Sequence, residues 1–63
     1  MTKLYNRCSS PKLENKIRKH LRKNHMKYRA IKCGTATMTD CIVWEIFADE
    51  SQMNVVYEID EMI

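Results

Sequence analysis

The segment from residue 11 to residue 24 has the clearest structural pattern in the chain. Leu13, Ile17 and Leu21 recur at every fourth position, and this spacing places them along one side of an α-helix. Pro11 suits the first helical position, because its missing N–H would have no partner there. The pattern therefore predicts a helix over residues 11–24, with one apolar side that another layer of the fold must cover.

The sequence is less decisive about where this helix ends. Asn24 is a suitable terminator, since asparagine tolerates the left-handed conformation found after many helices. Tyr28 and Ile31 nevertheless continue an apolar spacing beyond it. A longer helix that runs past Asn24 to a stop at Gly34 is therefore the alternative interpretation.

Three later segments have features of β-strands or turns. Residues 40–48 are rich in Ile, Val, Trp and Phe, which pleated sheets favour, and residues 27–35 show a weaker alternation. Residues 49–52 have the composition of a turn. Residues 53–59 alternate between apolar and polar positions, which predicts a third strand. One face of that strand would consist of Met53, Val55, Tyr57 and Ile59.

These elements predict one small domain of the α+β class over residues 1–63. Short gaps between strands favour antiparallel pairing, and the helix and one face of the sheet would cover each other in two layers. We expect a basic amphipathic helix packed on a three-stranded antiparallel sheet. Leu4 and Tyr5 could add a short edge strand and make the sheet four-stranded. The predicted core is Leu13, Ile17, Leu21, Ile42, Trp44, Ile46, Val56 and either Val55 or Tyr57.

Charge is sorted along the chain. All eleven Lys and Arg residues lie between Lys3 and Lys32, and Glu14 is the one acid among them, so residues 1–37 carry a formal charge of +10. Residues 38–63 contain seven acids and no Lys or Arg, a charge of −7, and the two parts sum to the net +3 of the whole chain. Such asymmetry often indicates contact with a charged partner. The alternative is that the two halves partly neutralise each other in the fold.

The predicted helix concentrates the cations. Four lysines fall along one side and two arginines on the adjacent side, although like charges one turn apart repel. A helix that tolerates this repulsion is suited to meeting an anionic surface, and a simply solvated face is the alternative. Tyr28, between Lys27 and Arg29, adds an aromatic ring to the basic region. The candidate binding residues are Lys12, Lys16, Arg18, Lys19, Arg22, Lys23, Tyr28 and Arg29.

The acids of the second half form a further candidate surface. They lie in the predicted turn and near the end of the chain, where they could contact a basic partner or simply keep the protein in solution. These residues are Asp49, Glu50, Glu58, Asp60 and Glu61.

Little in the chain indicates catalysis, a metal or a cofactor. No Cys-x-x-Cys or His-x-x-x-His spacing is present, and His20 and His25 are five residues apart, so they do not share a helix face. We expect Cys8, Cys33 and Cys41 to stay as thiols, packed as small apolar groups. The chain shows neither a signal peptide nor an apolar span, which favours the cytoplasm.

Two functions of different kinds remain. The first is a non-enzymatic binding protein that modulates or inhibits a partner protein through its separate basic and acidic surfaces, as antitoxins or virus-encoded modulators of host proteins do. The helix would then meet an acidic patch of the partner. The second is an accessory or regulatory protein whose helix contacts nucleic-acid phosphates. In either case we expect a monomer or a weak dimer and no contact with a membrane.

Overall fold

The computed structural model describes residues 1–34 and 39–63. A short 3-10 turn precedes each of the two helices, at Pro11–Leu13 and at Glu50–Gln52. The elements follow in the order β1 (Lys3–Ser9), α1 (Glu14–Lys23), β2 (Lys27–Gly34), β3 (Thr39–Ala48) and α2 (Met53–Met62). Thr35, the last residue of the first predicted strand, lies outside the described residues.

The three strands form one antiparallel sheet in the order β1-β3-β2. Trp44 marks the middle of the central strand, opposite Arg7 on one side and Ala30 on the other. This strand has the strongest β-forming composition in the chain, which suits it to the position with two neighbours. The predicted α+β class with a three-stranded antiparallel sheet is confirmed.

Both helices pack against the same face of the sheet, which we call the covered face. From Ile42 onward, every second residue of β3 is buried there: Ile42, Trp44, Ile46 and Ala48. Helix α1 contributes Ile17 and Leu21 to this core, and α2 contributes Val55, Val56 and Ile59. The opposite face of the sheet, which we call the open face, carries Cys41, Val43, Glu45 and Phe47 of the same strand.

Trp44 is the largest side chain of the core and is fully buried. Its indole Nε1–H donates a hydrogen bond of 2.8 Å to Oγ of Ser9, which is also buried. A buried indole N–H without an acceptor would be costly, so this bond ties β1 to the centre of the domain.

The predicted strand over residues 53–59 is wrong, because this segment is helix α2. Val55, Val56 and Ile59 are all buried, and adjacent buried residues followed by a third at i+4 fit one side of a helix. Tyr57, which the strand would have placed beside Val55, is 58% exposed. Val55 is thus the core residue of the two.

The predicted turn at residues 49–52 is the start of this helix. The backbone N–H of Asp49 donates to Oε1 of Gln52 at 3.0 Å, as part of a capping box between the two residues. Such an exchange satisfies donors that the first turn of a helix leaves without partners. The spacing Asp-x-x-Gln is therefore a helix signal, although the composition of these residues is typical of a turn.

Helix α1 ends where the shorter prediction placed it, and the continuation to Gly34 is wrong. The residue in the left-handed region is His25, with φ of 55°, rather than Asn24. The N–H of Met26 bonds to the carbonyl of Leu21 at 3.0 Å, and that of His25 to Arg22 at 3.1 Å, which is the Schellman arrangement. The turn delivers Met26 into the core and starts β2 one residue later.

Strand β1, and not the segment over residues 53–59, is the third strand of the sheet. The short edge strand suggested by Leu4 and Tyr5 extends over the whole of Lys3–Ser9 and pairs with β3 from Lys3 opposite Ala48 to Ser9 opposite Ile42. Among the predicted core residues, Leu13 is only partly buried at the edge of the cluster.

Candidate functional site

The buried side of helix α1 fixes which side of the helix faces solvent. Ile17 and Leu21 are fully buried against the sheet, so the lysines on the other side project into solvent. We call Lys12, in the 3-10 turn before α1, together with Lys16, Lys19 and Lys23 of α1, the lysine row. None of the four forms an ion pair with a residue in the described ranges. Their charges are therefore displayed outward, as the sequence predicts.

A shallow groove of about 460 Å³ runs beside this row. It is lined by Asn15, Arg18, Lys19, Arg22 and Lys23, and we call it the basic groove. Four of its five lining residues carry a positive charge, so it is a concave site suited to carboxylates or phosphates. Asn15 is the lining residue that the sequence analysis missed, since a lone asparagine on a helix carries no signal of its own.

Arg18 lines the groove and also makes contacts within the fold. One of its guanidinium nitrogens donates to Oε2 of Glu14 at 3.1 Å. The guanidinium carbon also lies 5.9 Å from the ring centroid of Tyr28 and 6.0 Å from that of Trp44. These are cation–π distances, so Arg18 covers the aromatic edge of the core as well as facing the groove.

Tyr28 is half-buried, and its ring is not an open platform for stacking. Its ring centroid lies 5.9 Å from that of Trp44, and its hydroxyl accepts a hydrogen bond of 3.2 Å from Nε of Arg22. The same bond fixes the exposed Arg22 at the rim of the groove. The structure thus places Tyr28 in contact with Arg18 and Arg22, where its ring packs against one guanidinium and its hydroxyl bonds to the other.

Arg29 lies apart from the other predicted binding residues. It is on the open face, opposite Glu45 in the register of β2 and β3, and its Nε is 3.9 Å from a carboxylate oxygen of Glu45. The two faces of a sheet are separated by the sheet itself, so Arg29 cannot share a contact surface with the basic groove. Seven of the eight predicted residues therefore lie on the helix side, and one does not.

The predicted acidic surface is divided between internal contacts and solvent. Asp60 of α2 pairs with Arg7, and Asp49 accepts a hydrogen bond of 3.0 Å from Thr2. Glu58 lies 3.3 Å from Nε2 of His20, where α1 and α2 meet. Glu50 and Glu61 are exposed and have no ion pair within the described ranges. A basic helix and an acidic helix thus lie side by side on the covered face.

The three cysteines do not pack in the core as expected. They lie on the open face, with Cys8 exposed and the other two partly exposed. The pKa of Cys41 is raised to about 11, chiefly by the Cys8 thiol, then by burial, and then by the Cys33 thiol. Cys33 and Cys41 are only eight residues apart, on consecutive strands, whereas Cys8 is distant in the chain and joins them only because β1 pairs with β3.

No family of proteins, no curated protein and no solved structure matches this chain. Within ranges 1–34 and 39–63, neither helix combines the length and the apolar character that crossing a bilayer requires. In the same part of the chain, no three His, Cys, Asp or Glu side chains are arranged to hold a metal ion.

Proposed function

We propose that this chain is a non-enzymatic binding protein that modulates or inhibits a partner protein, and that the basic groove and lysine row dock on an acidic patch of that partner. The supporting observation is the groove itself, a shallow and largely open depression along α1 that Arg18, Lys19, Arg22 and Lys23 line. Such a surface raises the rate of encounter with an anionic partner and fixes the orientation of docking.

The neighbouring acidic helix favours a protein over an extended polyanion. Helix α2 contacts α1 through His20, whose Nε2 lies 3.4 Å from the carbonyl oxygen of Val55. A long phosphate backbone that follows α1 would pass close to the exposed acids of α2 and be repelled. A protein surface can place acids opposite α1 and bases opposite Glu61, so it can satisfy both helices.

The roles of Tyr28 and Arg22 support the same choice. Sequence-independent binding of single-stranded nucleic acid commonly uses exposed aromatic rings on which bases stack. Tyr28 is half-buried under the arginines and cannot offer its face in this way. Arg22, with an exposed guanidinium at the rim, is the residue we expect to dominate binding, since arginines are frequent among residues that carry most of the binding energy.

The test is affinity capture from lysate treated with nuclease, followed by identification of the captured protein and titration of the purified pair. Lys19→Glu should weaken the dissociation constant about tenfold, because it reverses a charge inside the groove. Lys3→Glu makes the same charge change on β1, away from the groove, and should have little effect. Loss of all captured protein after nuclease treatment, or equal weakening by both variants, would contradict the proposal.

Nucleic-acid binding is the second candidate, and the lysine row favours it. Lysines at successive turns of an exposed helix are suited to neutralising phosphates and releasing their counterions. A labelled oligonucleotide titrated at several salt concentrations would then show an affinity that falls with a log–log slope of about −3 to −5, for about four or five phosphates. A flat salt dependence, or no binding at low salt, excludes this candidate and leaves the first.

A further inference from the structure

The sheet order brings all three cysteines of the chain to one place on the open face. Cys41 is on the central strand, Cys33 lies directly opposite it on β2, and Cys8 is on β1 opposite Val43. Because side chains alternate along each strand, these three thiols project from the same side of the sheet. Cys41 stands between the other two, and its thiol interacts with both.

We propose that Cys33 and Cys41 are a reversible thiol modification site, at which a small-molecule disulfide such as oxidised glutathione converts them to a cross-strand disulfide. One protein thiolate attacks the glutathione disulfide, forms a mixed disulfide and releases one glutathione. The second protein thiolate attacks the protein sulfur of that mixed disulfide and releases the other glutathione. Two thiols are thus oxidised, one disulfide is reduced to two thiols, and no other reactant is needed.

The register of the strands selects this pair. Cys33 and Cys41 are the last directly opposite pair before the register of β2 and β3 shifts between Cys33 and Gly34. Residues directly opposite each other in an antiparallel pair have Cα atoms about 4.5–5.5 Å apart, which lies inside the range of about 4.4–6.8 Å that disulfides span. Cys8 is the diagonal neighbour of Cys41, and such neighbours are about 7–8 Å apart. The Cys8 thiol interacts with that of Cys41, but this diagonal spacing is longer than the range that disulfides span.

Exposure makes the site accessible. Both helices in residues 1–34 and 39–63 lie on the covered face, so within this part of the chain a tripeptide disulfide can approach the thiols without any opening of the core. The disulfide would link β2 to β3 and restrict the unfolded chain, and we expect oxidation to raise the melting temperature by about 5–15 °C.

The experiment is equilibration of the full chain in glutathione buffers of increasing oxidised fraction, followed by blocking of free thiols and tryptic digestion. No Lys or Arg follows Lys32, so one peptide, residues 33–63, contains both Cys33 and Cys41, whereas Cys8 lies in the separate peptide 8–12. The expected product is the long peptide lighter by two hydrogen atoms, with Cys8 blocked as a free thiol. A link between the two peptides, glutathione adducts alone, or disulfide-linked dimers would each overturn the proposal.

Three matched variants distinguish a specific disulfide between Cys33 and Cys41 from oxidation of any accessible thiol. Cys8→Ser should keep the oxidised long peptide and the rise in melting temperature, while Cys33→Ser and Cys41→Ser should each lose both. All three substitutions lie on the open face, and circular dichroism of the reduced variants verifies that they fold. Loss of the rise in Cys8→Ser, or its retention in Cys33→Ser, would show that the assigned pair is wrong.

Discussion

The two faces of strand β3 show how one sequence alternation can produce two different surfaces. On the covered face, Ile42, Trp44 and Ile46 are fully buried under both helices. On the open face, Phe47 is 40% exposed, and Val43 is partly exposed. The residues are similarly apolar and belong to the same strand. The difference comes from the helices, because burial depends on what packs against a side chain and not on its own hydropathy.

The comparison separates stability from accessible chemistry. Removing apolar surface from water contributes about 25 cal/mol per Å², so nearly all of that contribution arises on the covered face. The open face instead presents an ion pair, Arg29 with Glu45, and the three thiols. We therefore expect substitutions on the covered face to cause large losses of stability. Substitutions on the open face should have smaller effects on stability and should change thiol chemistry or charge pairing.

The largest expected effect is that of Trp44→Ala. Truncating a buried tryptophan costs about 3–5 kcal/mol, comparable with the whole net stability that a core of this size supplies. We expect the variant to be largely unfolded by far-UV circular dichroism. Phe47→Ala, three residues away on the open face, should cost about 1 kcal/mol or less in urea unfolding. Equal losses from the two variants would mean that the open face is buried in solution.

The next effect is that of Ser9→Ala, which removes the acceptor of the Trp44 indole N–H. A buried donor left without a partner costs about 1–3 kcal/mol, and urea unfolding should show this loss. Ser10→Ala is the matched control, since the Ser10 side chain caps no backbone group, and its cost should be about 0.5 kcal/mol or less. Similar values for the two serines would contradict the role of the bond in joining β1 to the covered face.

A smaller effect of opposite sign is expected at His25. The left-handed conformation is unfavourable for a residue with a Cβ, so His25→Gly should stabilise the fold by about 0.5–1 kcal/mol. The turn that brings Met26 into the covered face would be kept. Asn24→Gly serves as the control, because Asn24 has φ of −97° and its side-chain amide donates to the carbonyl of His20 at 2.8 Å. Stabilisation by the control but not by His25→Gly would refute the assignment.

The last expected effect concerns the open face and appears only at high pH. The pKa of Cys41 is raised from 9.0 to about 11, so the fold favours the protonated thiol. Its contribution to stability is complete below pH 9.0 and is lost as the pH rises through about 11. Between pH 9.0 and about pH 11, the native chain should therefore lose stability relative to Cys41→Ser. Urea unfolding of both proteins measures it, and a constant difference would disprove the shift.

Parts of the molecule with a strong local pattern could be predicted, and parts without one could not. The stripe of Leu13, Ile17 and Leu21 indicated α1, and the composition of residues 40–48 indicated β3. Helix α2 was mistaken for a strand, since its valines and isoleucine have high β-propensity, which packing of a helical face overrides. Strand β1 has little apolar alternation, and its pairing is decided by the backbone groups that β3 offers at its edge.

The residues of the candidate site also fall into a group that could be predicted from the sequence and a group that could not. The outward lysine row followed from helical spacing alone, whereas the internal engagement of Arg18 and Tyr28 and the separation of Arg29 depended on how α1 meets the sheet. Whether a cation is free or engaged depends on neighbours distant in sequence, which periodicity cannot identify.

By itself, the sequence determined the basic helix and the strand over residues 40–48, because each is set by residues within a few positions of one another, and the sorting of charge is a property of the sequence itself. Only the tertiary structure decided which face of the sheet is covered, which state the segment after Asp49 adopts and where the cysteines meet. The physical reason is that these outcomes depend on burial and strand order, which join residues far apart in the chain.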